Sequence, residues 1–430
     1  MACYQFCPWE YAGRWTFADA LCQNLGNPEE RLRAVFQELD EEASNYHNSK
    51  VSDADIASHR WECTREAAQM VSVAWKCALA VYSPDSELPG TEHCRFHPDH
   101  VGTSSAGGTV KAFATTIVET ALPTNSTWAG SQGENAYVPA LVVAIRGSAS
   151  MVDHMVNANA RPRDANHFID PTSPRSAGVQ AHSGFLNSAQ ALDEAISQRI
   201  QNYIEQSALI KRASPPHILF TGHSAGGAVA SLMYLRQKSL SAGTRKPTRF
   251  SCITFGAPPC VEGLSGEDND RTADGSLCLN LVNEFDFVSR AQPPYILCMV
   301  NLLRSRYGQP LLVRDSRSVL PDLSPKRTEQ PKSGAAEPHT EEPHATHEHD
   351  RLEQENFWPL SKPLYSHVGR IVILLTRIEV DRLELKAVEV PTTTFAQLLF
   401  CRLAVHHRVS YAERIRQLEK GQFNGMDGWP

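Results

Sequence analysis

No stretch of this chain offers the ~18 consecutive apolar residues that a membrane-spanning helix needs. Its opening residues, MACYQFCPWEYAGRW, have neither the charged start nor the unbroken apolar core of a secretory signal. A block of Lys and Arg is also missing. The 41 basic and 48 acidic residues leave a net charge of −7, which argues against a nucleic-acid partner, since phosphate binding needs concentrated positive charge. These absences lead to the expectation of a soluble, cytoplasmic, intracellular protein. The 11 cysteines are odd in number and scattered over 430 residues, which suits free thiols in a reducing compartment better than a disulfide framework. Asn125-Ser126-Thr127 fits a glycosylation sequon by pattern but stands idle without a route to secretion.

What is present reads as alternating helices and strands. From Trp15 to about Tyr82 the pattern is helical, with one helix opening at Pro28 and a second over 65–81, and Pro84 closes the segment. Strand-like runs follow at 109–118 and 140–145, then a helix over about 184–206, a buried strand at 217–221 and an amphipathic helix at once after it. Further strands are expected at 250–255, 277–282, 371–376 and 383–390. This alternation predicts an α/β fold with a mainly parallel central sheet. The expected organisation is an N-terminal helical extension over 1–100 packed on the core, a catalytic domain over 101–392, and a C-terminal helix and tail over 393–430. Between 321 and 356 there is no aromatic residue and no Val, Ile or Met, so that stretch is expected to be a disordered insertion.

Two histidine groups raise the question of a metal. Cys94, His97 and His100 stand close together but with no fourth ligand nearby, and a plain loop is the simpler reading. The insertion's His339, His344, His347 and His349 are irregularly spaced, as in a solvated linker. Neither metal nor cofactor is expected.

The most informative string is Gly222-His223-Ser224-Ala225-Gly226, a G-x-S-x-G pattern between a buried strand and a helix. A serine on so sharp a turn needs neighbours without bulk two residues away on each side. The new helix presents its first N–H groups where an oxyanion would form, and Ala225 supplies the first donor. Ser224 is therefore the candidate nucleophile, and it requires a base and an acid to orient that base. Asp286, just past the strand at 277–282, is the expected acid, with Glu284 as its neighbour and rival. Helix or turn capping is the structural alternative for either. His367, in the loop before the strand at 371–376, is the expected base, because His406 and His407 fall within a predicted C-terminal helix. Ser148, after the strand at 140–145, is the expected second oxyanion donor. Met151, Val152, Met155 and Val156 share one face of a short candidate helix beside it, which reads equally as a lid over an acyl groove or as an ordinary packed helix.

Together these pieces resemble the class 3 lipases, the α/β-hydrolase family of fungal triacylglycerol lipases and diacylglycerol lipases. The resemblance rests on Arg146-Gly147-Ser148 with Asp153 and Asn157, His182 to Phe185, Thr221 to Gly227, Thr254 to Pro258, Asn283 to Arg290 and Tyr365 to Gly369, in that order. It implies an α/β-hydrolase fold and a cofactor-free serine esterase mechanism. The family's nucleophile falls on Ser224, its acid on Asp286, its base on His367 and its oxyanion donors on Ser148 and Ala225. Ala225 stands where the family more often has Leu, which keeps the N–H and trims a contact near the acyl pocket. The implied substrate is a lipid or small ester, met in solution or by peripheral contact with a membrane or lipid-droplet surface. A short-chain or aromatic-acid esterase and a non-catalytic lipase-like interaction protein are the alternatives. The insertion at 321–356 lies between acid and base, where the diacylglycerol-lipase branch also carries a regulatory insertion, so gating of access is expected there.

Overall fold

The computed structural model describes residues 27–83, 88, 94–106, 109–120, 141–147, 161–169, 178–209, 215–241, 248–262, 276–312, 356–379, 382–426 and 428–429. The expected lid, Ser148 and the 321–355 part of the insertion lie outside the described residues.

Helix α1 spans Pro28–Ala43 and α2 spans Arg65–Ala80. α2 begins where the Thr64 side chain accepts the Ala67 N–H, with Glu66 favourably placed in the first turn. The hairpin β1 (Cys94–Ala106) and β2 (Thr109–Thr120) follows, then β3 (Leu141–Ile145), β4 (Pro162–Asp164) and β5 (Gln180–His182). Next come α3 (Ser183–Leu209), β6 (His217–His223), α4 (Ala225–Ser241), β7 (Arg249–Phe255), β8 (Val261–Glu262) and β9 (Cys278–Asn283). The chain ends through α5 (Pro293–Arg306), β10 (Arg370–Glu379), β11 (Arg382–Val390) and α6 (Arg408–Glu419).

Eight strands form one sheet in the order β1-β2-β3-β6-β7-β9-β10-β11. Its centre, from β3 through β6, β7 and β9 to β10, is parallel, and antiparallel hairpins close both sides. A small antiparallel sheet, β4-β5-β8, stands apart. The α/β architecture expected from the pattern is thus the observed one. Parallel strands read as unbroken apolar runs because both faces are covered. In β3 all five residues are buried, yet they serve two cores. Leu141, Val143 and Ile145 pack with α3 and α4, while Val142 and Ala144 pack with α2 and the C-terminal helix α6, the two-residue period of a strand.

α2 lies directly on the sheet in the core that holds Leu219, Ile253, Phe255 and Leu281, and the expected boundary at residue 100 falls inside β1. The string from Cys94 to His100 is strand rather than loop, and His97 Nε2 lies 3.2 Å from Glu119 Oε2 across the hairpin. The C-terminal reading also needs correction. Residues Ala404–His406 form a single 3-10 turn, and His407 is the extended N-cap of α6, so His406 precedes the helix instead of lying within it. No helix among the described residues is long and apolar enough to cross a membrane.

Candidate active site

Ser224 sits between β6 and α4 with φ of 60°, in the left-handed region that few side chains adopt. Two glycines make this turn sterically attainable. A Cβ on Gly222 would stand 2.5 Å from the carbonyl carbon of Gly226, and one on Gly226 would stand 2.7 Å from Gly147 N and overlap Ile145 O. Those contacts are with backbone, which cannot move aside, so the strand-to-helix turn packs against the end of β3 only because both positions lack side chains. Ser224 N–H donates to Phe255 O at 2.9 Å, which pins the elbow to the neighbouring strand. Ala225 is buried as the first residue of α4, where the first N–H groups of a helix have no partner within it. His223 completes the elbow and is also buried.

The imidazole that meets Ser224 belongs to His406. Its Nε2 lies 3.0 Å from Ser224 Oγ, and its Nδ1 lies 2.9 Å from Asp286 Oδ2. An ionised carboxylate only accepts, so Nδ1 carries the proton and Nε2 turns its lone pair toward the serine hydroxyl. Asp286 is wholly buried and well supplied with donors. The Tyr411 hydroxyl donates to Oδ2 at 2.7 Å, and Val288 N–H donates to Oδ1 at 2.9 Å. Burial, reinforced by the adjacent Asp286, pushes the Tyr411 hydroxyl well above the usual phenol range and keeps it a donor. Gly256, with φ of 56°, leaves room for this group, since a Cβ there would come within 2.7 Å of both Asp286 Oδ2 and the Tyr411 hydroxyl.

A second layer holds His406 from behind. The His223 ring stacks on it with centroids 4.7 Å apart, and His223 Nε2–H donates to the His406 carbonyl at 3.0 Å. The Tyr82 hydroxyl lies 3.5 Å from His223 Nδ1 and accepts Gly147 N–H at 3.1 Å, which ties the end of β3 to the elbow.

The expected base, His367, is elsewhere. Its Nε2–H donates to Ala257 O at 3.0 Å, and its ring packs edge-on against Phe395. Burial, with a contribution from the Arg290 cation, lowers its pKa from 6.5 to about 4, so it is a neutral structural imidazole that ties down the loop after β7. The reason is directional. His367 precedes β10, at the amino end of a strand that runs parallel with the sheet's centre, whereas Ser224 follows the carboxyl end of β6. Sites in such sheets gather at the carboxyl ends. That rule, applied to the histidines that follow Asp286, was the available signal for His406.

Glu284, the rival acid, is taken by structure. Arg377 donates to both its oxygens at 2.7 and 2.8 Å, and Glu284 Oε1 also accepts Val51 N–H at 2.9 Å. Ser148, Met151, Val152, Met155 and Val156 lie outside the described residues. Among the described residues no group of three or more His, Cys, Asp or Glu side chains is placed to hold a metal.

Residues 142–295 match the family model for Lipase (class 3). That segment contains Ser224 and Asp286, and His406 lies beyond it. Among solved structures the chain is similar to the lipase of Rhizopus microsporus var. chinensis at 19% identity, over 57% of this chain and 71% of that one, with a TM-score of 0.35. The nonglycosylated LIP2 lipase of Yarrowia lipolytica is 16% identical over 54% of this chain and 76% of its own, with a TM-score of 0.37. The M37 lipase is 14% identical over 85% of this chain and 96% of its own, with a TM-score of 0.41. A comparison with curated proteins gives no match.

Proposed function

We propose that this protein hydrolyses acylglycerol-type lipid esters through an acyl-enzyme on Ser224, with His406 as general base and Asp286 as the acid that orients it. The observation that carries the reading is the single imidazole spanning Ser224 Oγ at 3.0 Å and Asp286 Oδ2 at 2.9 Å. His406 takes the serine proton as Oγ attacks the ester carbonyl, and it returns that proton to the leaving alcohol. Ala225 N–H, with Ser148 as the second donor, faces the oxyanion of the tetrahedral intermediate. Water, deprotonated by the same imidazole, then releases the fatty acid. The buried Asp286 stabilises the imidazolium at both transition states, and the Tyr411 hydroxyl and Val288 N–H hold the carboxylate in place.

Hydrolysis of p-nitrophenyl esters from short to long acyl chains, by the wild type and by Ser224→Ala, tests the reading. Activity that rises with chain length and vanishes in the variant is the expected result. A short-chain optimum would replace the lipase by an esterase, and equal rates in both proteins would overturn serine catalysis.

A further inference from the structure

Two arginines stand next to residues that pack on the Ser224 elbow and take no part in the proton transfers. Arg408 follows the base by two residues and is exposed, with its guanidinium 4.3 Å from the centroid of the Tyr82 ring. Arg146 follows β3, next to Gly147, and its Nε is buried without a hydrogen-bond partner. Neither has a carboxylate partner among the described residues. Tyr82 links both to the reacting atoms, because its hydroxyl accepts Gly147 N–H at 3.1 Å, and a Cβ placed on Gly147 would stand 3.4 Å from Ser224 Cβ. Both cations act on that hydroxyl, opposing the burial that pushes it up to about 12.

An arginine held over an aromatic face is restrained there, and a guanidinium can grip a carboxylate or phosphate with two parallel hydrogen bonds. The surroundings sharpen the contrast. The chain is acidic overall, at −7, yet the first turn of α6, where Arg408 stands, contains no acidic residue. A cation at the positive end of a helix opposes the helix dipole, a local cost that an anion bound there would remove.

We propose that the ester substrate carries an anionic group, a phosphate or carboxylate a few atoms from the scissile carbonyl, and that Arg408 and Arg146 bind it. This inference rests on the Ser224 reading and adds to it a substrate class, an anionic amphiphile in place of a neutral acylglycerol. Arg408 then determines specificity: it touches the head group, while the Ser224, His406 and Asp286 chemistry is unchanged.

The test compares fatty-acid release from dioctanoyl phosphatidic acid and from dioctanoylglycerol, which share their acyl chains, in neutral detergent micelles. The wild type, Arg408→Gln and Arg416→Gln are assayed. Arg416 lies on the same helix, exposed and paired with Glu413, so its variant matches the change in net charge away from the site. The wild type is expected to favour the phosphate ester by about tenfold or more in kcat/KM, the scale of one charged hydrogen-bonding pair. That ratio should fall to within about threefold of unity in Arg408→Gln and persist in Arg416→Gln. Dioctanoylglycerol in micelles doped with dodecyl phosphate supplies the same charge from the surface, and acceleration there equal to the phosphatidic acid preference would overturn recognition of the substrate's own group. No preference in the wild type, or a preference retained by Arg408→Gln, would also overturn it. Release of fatty acid from neither lipid would instead remove the hydrolase reading beneath it, a result distinct from hydrolysis without discrimination.

Discussion

In the proposed mechanism, Tyr411 acts through Asp286 without meeting substrate. Its hydroxyl accepts Asn283 N–H at 3.0 Å and donates to Asp286 Oδ2 at 2.7 Å, so it joins the end of β9 to the carboxylate that orients His406. Tyr411→Phe keeps the ring that packs against Trp75 and Phe255 and removes both bonds. The expected outcome is a kcat lowered about tenfold with KM nearly unchanged, since a lost bond to a charged group is worth about 1.5–3 kcal/mol. Steady-state kinetics on a soluble ester checks this, and an unchanged kcat would count against the role. At this scale the sequence was informative where geometry is local. The elbow glycines and Asp286 were readable because a strained turn and a strand-end carboxylate leave marks within a few residues. Tyr411 and the His223 stack were not, because their partners lie 125 and 183 residues away in the chain.

The elements explain why the proposed base comes from so far along the chain. β11 runs antiparallel to β10, so it ends at the edge of the sheet opposite Ser224, and the chain must travel back before a histidine can reach the elbow. The segment 391–405 makes that return and is fastened along its length. Leu399 N–H donates to Asn48 O at 2.7 Å, the Tyr295 hydroxyl donates to Phe400 O at 2.9 Å, and Arg402 N–H donates to Phe285 O at 2.8 Å. Arg402 also lies over the Phe285 ring and pairs with Asp40 of α1 at 2.7 Å. Asn48 is the buried junction of three segments: its amide donates to Trp358 O and Gln397 O, and its oxygen accepts Trp358 N–H. Asn48→Ala leaves these backbone groups buried and unpaired, and an expected loss of about 2–4 kcal/mol follows from the usual penalty per unsatisfied group. Urea unfolding measures it, and a loss well under 1 kcal/mol would contradict the junction's role. A histidine pattern read by sequence position alone favours His367, beside a strand. Strand direction and the returning segment reverse that choice.

At the scale of the described residues, helices from near both ends of the chain pack on the central sheet. α2 and α6 share one core with the central strands, and α1 shares another with α5 and with Trp358, Leu360, Leu399, Cys401 and Leu403. The α/β class was legible because buried parallel strands and amphipathic helices announce themselves by period. The particular contacts that join segments some 350 positions apart were not, because such pairs leave no periodic trace. One global property follows from His367. Its pKa is lowered to about 4 in the folded chain, against 6.5 when exposed, so between those values the unfolded chain binds a proton that the folded chain refuses. Stability therefore falls as pH drops through that window, by about 2 kcal/mol between about pH 7.5 and pH 5 from this residue alone. His367→Gln keeps a donor for Ala257 O without a titrating ring, so its loss of stability over the same range should be smaller by about that amount. Denaturant titrations at the two pH values read the difference, and identical pH dependence in both proteins would show that His367 is not the buried neutral group described.

The same pair of histidines provides the most direct test of the central claim, that His406 and not His367 activates Ser224. The measurement is the rate at which a fluorophosphonate ester modifies Ser224 in the wild type, His406→Gln and His367→Gln, with folding of each verified by circular dichroism. The geometry predicts a loss of about 10³-fold or more in His406→Gln, the scale of removing a general base, and a rate within about fivefold of wild type in His367→Gln. A folded His406→Gln that reacts at the wild-type rate, or a folded His367→Gln that does not react, would contradict it.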